Sequence, residues 1–347
     1  MHTIYDVAKR AGVSAGTVSN VLNNGSKVAP KTTEKVLTAM KELNYVPNVN
    51  AQTLKTNNSR VIGIIAEDIT LIFTSGIIDG ICDYCEKNNY TINLCNLSVE
   101  RKMKENNITD YEAFEKTSLF KESLKKNITT LLSSRICGLI YIGSHPRNVS
   151  GLLPKLSIPV VYAYAYTKDN DFCVNYDDYQ GARLAMDYLI KKGHSRIALI
   201  SGPVNSIPTH KRMLAYQSAL LENDIAFCPE YIKTGNWTYQ DGYNKCLELL
   251  KLPERPTAIF AMSDSMALGV LNALENTGLK IPEDIALHGF DNLYATQYTH
   301  PSITTIDLPL HEIGLVAVKT INGLLDNKPP QSPGILLPCT HISRASA

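Results

Sequence analysis

The alternation of short apolar runs with helical stretches, from Arg60 to the C-terminus, is the feature that most constrains the fold. Apolar runs of four or five residues predict strands at 61–65, 91–95, 138–142, 160–163, 197–201, 258–261 and 285–289. Helical segments separate most of them, at 76–88, 179–193, 211–223, 239–251 and 265–277. This alternation is typical of βαβ units and predicts an α/β fold with parallel sheets. The length of this region indicates two subdomains, with a ligand cleft at the carboxyl ends of the strands.

The residues before Arg60 have helical periodicity only. Apolar spacing predicts a helix over 4–11 that ends at Gly12, and Ser14 is placed to cap a second helix over 15–22. Two short helices joined by a glycine-containing turn make a helix-turn-helix, whose second helix presents small and polar residues to DNA bases. A third predicted helix, over 30–44, completes a core that two short helices cannot form alone.

The charge of the chain is divided unevenly between these two regions. Residues 1–60 contain eight Lys and Arg against three Asp and Glu, which leaves 26 basic and 30 acidic residues for the remainder. A basic head on a mildly acidic body predicts a nucleic-acid partner for the head alone.

Several classes of protein are disfavoured by what the sequence lacks. There is no apolar run of eighteen residues and no secretory signal, so we expect a cytoplasmic protein without a membrane span. No GxGxxG after a strand, P-loop, GxSxG or HExxH motif is present, so we expect no enzyme activity and no cofactor. The eight cysteines are scattered, and the one CxxC pair, Cys82 and Cys85, falls in a predicted helix. We therefore expect structural thiols and no metal site.

The motifs of the chain resemble those of the LacI/GalR (lactose-repressor/galactose-repressor) family of transcriptional regulators. In the head they are Thr3-Ile4-Tyr5-Asp6-Val7-Ala8, Gly12-Val13-Ser14, Thr17-Val18-Ser19 and Asn44-Tyr45-x-Pro47-Asn48-x-x-Ala51-x-x-Leu54. In the body they are Gly193-His194-x-x-Ile197-Ala198, Pro256-Thr257-Ala258, Asp264-x-Met266-Ala267-Leu268-Gly269, Gly289-Phe290-Asp291-Asn292 and Ile303-Thr304-Thr305-Ile306.

The resemblance implies a helix-turn-helix domain (1–47), a hinge helix and linker (48–59) and an effector-binding and dimerisation core (60–347). The core is expected to resemble periplasmic sugar-binding proteins, with two Rossmann-like lobes joined by three crossovers. These expected bounds are about 60–163 and 309–326 for the N-lobe, and about 164–306 and 328–345 for the C-lobe.

The resemblance also implies which head residues touch DNA. Asn20 is expected to read a base, because an Asn side chain can pair with adenine through two hydrogen bonds. Gly16 departs from the family pattern, because it offers no side chain and weakens its helix. Leu54 matches a leucine that opens a base step from the minor groove. The full expected set is Thr3, Tyr5, Ser14, Ala15, Gly16, Thr17, Ser19, Asn20, Asn23, Tyr45, Asn48, Ala51, Leu54 and Lys55.

Six residues of the body match effector-binding positions of the family: Phe73, Arg212, Trp237, Ser263, Asp264 and Asp291. An aromatic face beside an Arg and an Asp suits a polar ring such as a sugar. Two positions depart from the pattern of sugar-responsive members, since Ser263 stands where many have Asn and Tyr164 where several have Asp.

The sequence therefore predicts a dimeric repressor that binds operator DNA and is controlled by a small molecule, expected to be a sugar. Control by a non-sugar metabolite or by a protein partner is the alternative. A periplasmic sugar-binding protein would fit the body but not the basic head. The charged, Asn-rich stretch 97–120 is about twenty residues longer than the family pattern, and we interpret it as a solvated extension or a helix on the N-lobe, with contact to a partner as the weaker alternative.

Overall fold

The computed structural model describes residues 2–22, 28–45, 59–168 and 171–347. The chain divides into two compact units, Met1–Ser59 and Arg60–Ala347, which are called here the head and the body. Within the described ranges, no helix is long and apolar enough to cross a membrane. All eight cysteines are free thiols.

Three helices form the described part of the head: α1 (Ile4–Ala11), α2 (Ala15–Leu22) and α3 (Pro30–Glu42). Gly12 ends α1 with φ of 66°, a left-handed conformation that glycine adopts without strain. The predicted helix-turn-helix is thus confirmed, and α3 ends two residues before its predicted end. Fully buried valines, one from each helix, form the centre of its core: Val7, Val18 and Val36.

The first lobe of the body is built on a six-stranded parallel sheet. Its strands are β1 (Val61–Ala66), β2 (Thr91–Asn96), β3 (Gly138–Ile142), β4 (Val160–Ala163), β5 (Phe172–Tyr176) and β11 (Gly334–Leu337). Their order in the sheet is β11-β5-β4-β3-β1-β2. Its helices are α4 (Ile72–Lys87), α5 (Val99–Glu105), α6 (Tyr111–Glu115), α7 (Ser118–Ser133) and α12 (Leu310–Leu325). Every residue of β1 and β3 is buried, as expected for parallel strands that helices cover on both faces.

The second lobe contains the strands β6 (Ile197–Ser201), β7 (Ile232–Thr234), β8 (Ala258–Ala261), β9 (Ala286–His288), β10 (Thr305–Asp307) and β12 (Thr340–Ile342). The first four form a parallel sheet with the order β7-β6-β8-β9, and β10 and β12 form an antiparallel pair. Its helices are α8 (Asp178–Lys191), α9 (Ile207–Glu222), α10 (Tyr239–Leu250) and α11 (Asp264–Asn276), with short 3-10 turns at Pro229–Tyr231 and Tyr294–Gln297.

The chain passes between the lobes three times, after β5, after β10 and after β11, so the expected three crossovers are present. The lobe bounds taken from the resemblance need correction. We expected residues 164–176 and 334–337 in the C-lobe, but β5 hydrogen-bonds to β4 and β11 hydrogen-bonds to β5. Both strands therefore belong to the N-lobe sheet, because continuous backbone pairing defines a sheet.

The long stretch 97–120, called here the 97–120 segment, forms α5, α6 and the start of α7. Of the two interpretations of this stretch, a solvated extension or a helix on the N-lobe, the structure has the helix. Met103, Phe114 and Phe120 are buried in an apolar cluster with the N-lobe strands, because each helix places one apolar face inward.

Candidate functional site

The exposed face of α2 is the candidate DNA-reading surface. Gly16 and Asn20 lie one helical turn apart and are both exposed, whereas Val18 between them is fully buried. Residues four apart share one face of a helix, so these two form a row open to solvent. The remaining α2 positions of the expected DNA-binding set are partly exposed: Ala15, Thr17 and Ser19.

Two of the expected DNA-binding hydroxyls cap helices of the head. The Ser14 hydroxyl accepts a hydrogen bond from the Thr17 N–H at 3.1 Å, which confirms the predicted cap of α2. The Thr3 hydroxyl accepts from the Asp6 N–H, and the Asp6 carboxylate accepts from the Thr3 N–H at 2.7 Å, which makes a capping box. Both residues are exposed, so each fixes the start of a helix at the protein surface.

The two tyrosines of the expected set differ in their surroundings. Tyr5 is 74% exposed, whereas Tyr45 is partly buried against the core of the head. Tyr45 therefore has a packing role that its position in the motif does not reveal. The other expected residues, Asn23, Asn48, Ala51, Leu54 and Lys55, lie outside the described residues.

Arg212 is the centre of the candidate effector site in the body. It lies on α9, is 3% exposed, and donates hydrogen bonds from Nε to Asp178 Oδ1 at 2.8 Å and from Nη2 to the Tyr176 hydroxyl at 2.9 Å. Nη1 donates to the Met262 carbonyl, and the guanidinium carbon lies 3.6 Å from the centre of the Phe290 ring. A guanidinium has five N–H groups, so two remain without a hydrogen-bond partner in the described chain.

The charges around Arg212 are balanced within the protein. Burial disfavours the charged guanidinium, but Tyr176, Asp178 and Asp291 raise the pKa of Arg212 above its ordinary value. Burial raises the pKa of Asp291 well above its ordinary value, with a further increase from Asp264 that Arg212 opposes. Arg212 and Asp178 thus form a buried ion pair, and Asp291 beside them favours its uncharged form.

Three large or charged residues around Arg212 have backbones in the left-handed region. Their φ angles are 57° for Tyr164, 66° for Trp237 and 117° for Asp291. Such conformations cost about 1 to 3 kcal/mol for residues other than glycine and concentrate at functional sites. The indole of Trp237 is partly buried, with its ring centre 5.6 Å from the Arg212 guanidinium carbon.

A row of aromatic rings joins Arg212 to the N-lobe. Phe73 stacks on Tyr164 with 5.6 Å between ring centres, and Tyr164 lies 5.8 Å from Tyr176. Tyr176 in turn lies 6.4 Å from Phe290, which covers one face of Arg212. Phe73, Arg212, Trp237 and Asp291 are therefore brought into one region that spans both lobes.

Ser263 and Asp264 have structural partners. The Ser263 hydroxyl caps α11 by accepting from the Met266 N–H at 3.3 Å. The carboxylate of Asp264 accepts from the Thr305 hydroxyl and from the Leu293 N–H, each at 2.7 Å, and the residue is fully buried. Burial raises the pKa of Asp264 to about 7. The chain itself uses both carboxylate oxygens of Asp264, which hold the segment that follows Asp291. The expected contact of Asp264 with the effector stays a prediction.

Sequence reasoning missed three residues of this region: Tyr176, Asp178 and Phe290. Tyr176 is the last residue of β5, Asp178 lies two residues after β5, and Phe290 lies two residues after β9. All three are therefore at the carboxyl ends of strands, where ligand sites of open α/β sheets occur. This signal was available for Phe290 alone, which directly follows the predicted strand at 285–289, because no strand was predicted at 172–176. The pairing of Asp178 with Arg212, 34 residues later, had none.

Two family models match the chain. Residues 3–48 match the model described as "Bacterial regulatory proteins, lacI family", and residues 186–347 match a periplasmic binding protein-like domain. The HTH-type transcriptional repressor PurR of Vibrio campbellii is 33% identical over 317 residues, which cover 90% of this chain and 89% of the relative. The ribose operon repressor of Escherichia coli (strain K12) is 31% identical over 325 residues, which cover 92% of each protein.

The fold is similar to a solved structure of the lac repressor dimer bound to operator and the anti-inducer ONPF. The TM-score is 0.80 at 27% identity, and the match covers 99% of this chain and 98% of that one. Together with the helix-turn-helix and the two-lobed body, these matches show that the chain belongs to the LacI family and is a DNA-binding transcriptional repressor.

Proposed function

We propose that this repressor binds its operator as a homodimer and that a neutral sugar, bound between the lobes of the body, changes its operator affinity. The observation that carries the proposal is that Trp237 and Asp291 lie beside the same buried guanidinium: the indole ring centre is 5.6 Å from the Arg212 guanidinium carbon, and Asp291 raises the pKa of Arg212. A ligand changes a conformational equilibrium only through different affinities for the two states. Contacts to both lobes supply that difference, because they depend on how far the lobes are closed.

The chemistry of the site favours a polar ring. The apolar face of a sugar ring can stack on the indole of Trp237, while its hydroxyls accept from Arg212 and donate to Asp291. Ser263 and Phe73 complete the proposed site from the C-lobe and the N-lobe.

The charge of the site favours an uncharged ligand. Asp178 already neutralises Arg212 at 2.8 Å, and the nearby Lys211 donates to the Tyr166 hydroxyl at 2.9 Å. A phosphate or carboxylate ligand would compete with the Asp178 carboxylate for Arg212, and its charge would be desolvated beside these buried groups. We therefore expect sugars to bind at least tenfold more tightly than their phosphate esters.

The effector proposal is tested with operator binding and tryptophan emission measured on the same full-length protein. Labelled operator DNA is titrated with repressor in the presence of ribose, glucose, galactose, lactose or cellobiose, their phosphate esters, and the nucleobases adenine and guanine. Trp237 is the only tryptophan, so its emission reports directly on this site. We expect one neutral sugar to shift both signals. A shift only with a nucleobase supports the non-sugar alternative, and no shift with any small molecule leaves control by a protein partner.

On the DNA side, we propose that Asn20 reads a base and that Leu54 inserts into the minor groove. Asn20 is exposed on the face of α2 where Gly16 adds no side chain, so direct base reading rests on few groups. Operator deformability then supplies an unusually large share of specificity.

The test of this part compares Asn20→Ala with Lys9→Ala, both at exposed head positions, on a panel of operators that differ at single base pairs. Asn20→Ala should lose discrimination at one base pair, worth about 1 to 3 kcal/mol. Lys9→Ala should weaken all operators equally. An equal loss on all operators for Asn20→Ala as well would contradict the assignment.

A further inference from the structure

The 97–120 segment is attached to the N-lobe by a buried ion-pair cluster in addition to its apolar face. Arg147, in the loop after β3, donates from Nη1 and Nη2 to the two carboxylate oxygens of Glu67 at 2.8 and 2.6 Å. The same side chain donates from Nε to Glu115 of α6 at 3.1 Å. Glu67 is fully buried, and the side chains of Arg147 and Glu115 are only 11% and 13% exposed.

Glu67 connects this cluster to the carboxyl ends of two strands. It directly follows β1, and it accepts from the Ser144 N–H at 2.7 Å and from the Tyr141 hydroxyl, both at the end of β3. Burial opposes its ionisation, but Arg147 lowers the pKa of Glu67 below its ordinary value. The cluster therefore holds a carboxylate where β1 and β3 end, and Glu115 is its contact with the 97–120 segment.

A second attachment joins the segment to the loop that carries Phe73. Asp68 Oδ2 accepts from the Glu100 N–H at 3.2 Å, at the start of α5. Asp68 Oδ1 accepts from the N–H and the hydroxyl of Thr70, at 3.0 and 2.7 Å. Since Thr70 lies three residues before Phe73, the start of α5 and the N-lobe side of the effector site share one carboxylate.

A third connection leads from Arg147 toward the C-lobe. The Arg147 carbonyl accepts from the Tyr166 N–H at 2.8 Å, and the Val149 N–H donates to the Tyr166 carbonyl at 2.8 Å. The Tyr166 hydroxyl accepts from Lys211 Nζ on α9, next to Arg212. The stretch from Tyr164 to Tyr166 thus depends on the same loop that binds Glu115.

We propose that the 97–120 segment is a brace for the N-lobe wall of the effector site, and that Arg147 and Glu115 are positioning residues that set effector affinity without touching the effector. The proposal rests on the proposed function, since it assumes that the effector binds between Phe73, Tyr164 and Arg212. A buried cluster of two carboxylates and one guanidinium is weak evidence for stability, because replacing such groups by apolar residues is often neutral or favourable. The cluster joins the loop after β1 to the loop after β3, so its arrangement suits a role in fixing the positions of these two loops.

The test uses full-length Glu115→Gln, in which the Gln amide no longer supplies a carboxylate to Arg147. Glu105→Gln is the matched control, because Glu105 pairs with Arg101 on the exposed face of α5, at 2.9 Å and away from Arg147. Hydrogen–deuterium exchange of the effector-free proteins is measured for residues 67–73, 143–149 and 164–168. The dissociation constant is then measured for the sugar of the panel above that the wild type binds most tightly.

We expect Glu115→Gln to increase exchange at least tenfold in these three loops and to raise the sugar dissociation constant about tenfold, with Glu105→Gln unchanged in both. The variant Glu115→Asp keeps a carboxylate at this position. If its exchange rates and its sugar dissociation constant lie closer to the wild-type values than those of Glu115→Gln, positioning by the carboxylate is supported. Wild-type exchange in the three loops, or an increase spread over the whole N-lobe, would overturn the proposal. If no sugar binds the wild type, the proposed effector is wrong, and the exchange measurement still decides whether the brace exists.

Discussion

Gly202 offers a way to displace Trp237 without changing any residue that touches Arg212. It directly follows β6, and a Cβ at this position would lie 2.0, 2.3 and 2.4 Å from three atoms of the indole ring. Carbon atoms in contact prefer about 3.5 Å, so Gly202→Ala must move the indole by about 1.5 Å. The φ of Gly202 is outside the left-handed region, so alanine adds no backbone strain of its own.

The expected consequence is loss of the stacking contact between Trp237 and the effector. Aromatic stacking contributes about 0.5 to 1.5 kcal/mol beyond area burial. A loss of about 1.4 kcal/mol corresponds to a tenfold higher dissociation constant for the effector. We therefore expect Gly202→Ala to need about ten times more sugar for the same change in operator binding, while its effector-free operator affinity stays at the wild-type value.

The assay follows operator release and Trp237 emission during sugar titration, with Gly334→Ala as the control. A Cβ at Gly334 would meet no atom within 4 Å, and its φ is also outside the left-handed region. If Gly202→Ala keeps both the wild-type emission spectrum and the wild-type sugar response, Trp237 does not stack on the sugar as proposed.

Three further predictions concern stability. Gly16→Ala should stabilise the head by about 0.5 to 1 kcal/mol, because a Cβ there meets only the Ser14 hydroxyl at 3.6 Å; a lower melting temperature of the head would contradict this. Asp178→Asn should lower the free energy of unfolding of the body by about 3 to 5 kcal/mol in urea titrations, because it leaves the buried Arg212 charge without its partner. A loss under about 1 kcal/mol would argue against the ion pair. Burial lowers the pKa of His288 to about 3, so the unfolded chain gains a proton below pH 6.5 that the folded chain does not. The free energy of unfolding should therefore decrease as the pH is lowered below 6.5, by up to about 1.4 kcal/mol per pH unit from this residue. In His288→Gln the free energy of unfolding should depend less steeply on pH between pH 7 and 5. An unchanged slope would exclude His288 as the cause.

The local secondary structure of this protein could be predicted from its sequence alone. The strands at 138–142, 160–163, 197–201 and 258–261 have the predicted bounds, and so do the first two helices. Periodicity, the cap at Ser14 and the turn at Gly12 are decided by residues a few positions apart, so a pattern in the chain records them directly. Spacing within the family motifs also indicated Arg212, Trp237 and Asp291 as a group.

The partners of residues that lie far apart in the chain could be assigned only from the three-dimensional packing. The pairing of Arg212 with Asp178, the place of β5 and β11 in the N-lobe sheet, and the attachment of the 97–120 segment through Arg147 all join residues far apart in the chain. Such contacts form when strands pair and loops meet at a sheet edge, and a single sequence contains no periodic signal for them. Local order was therefore visible in the sequence, whereas the charge balance around Arg212 and the attachment of the 97–120 segment depended on how the chain packs.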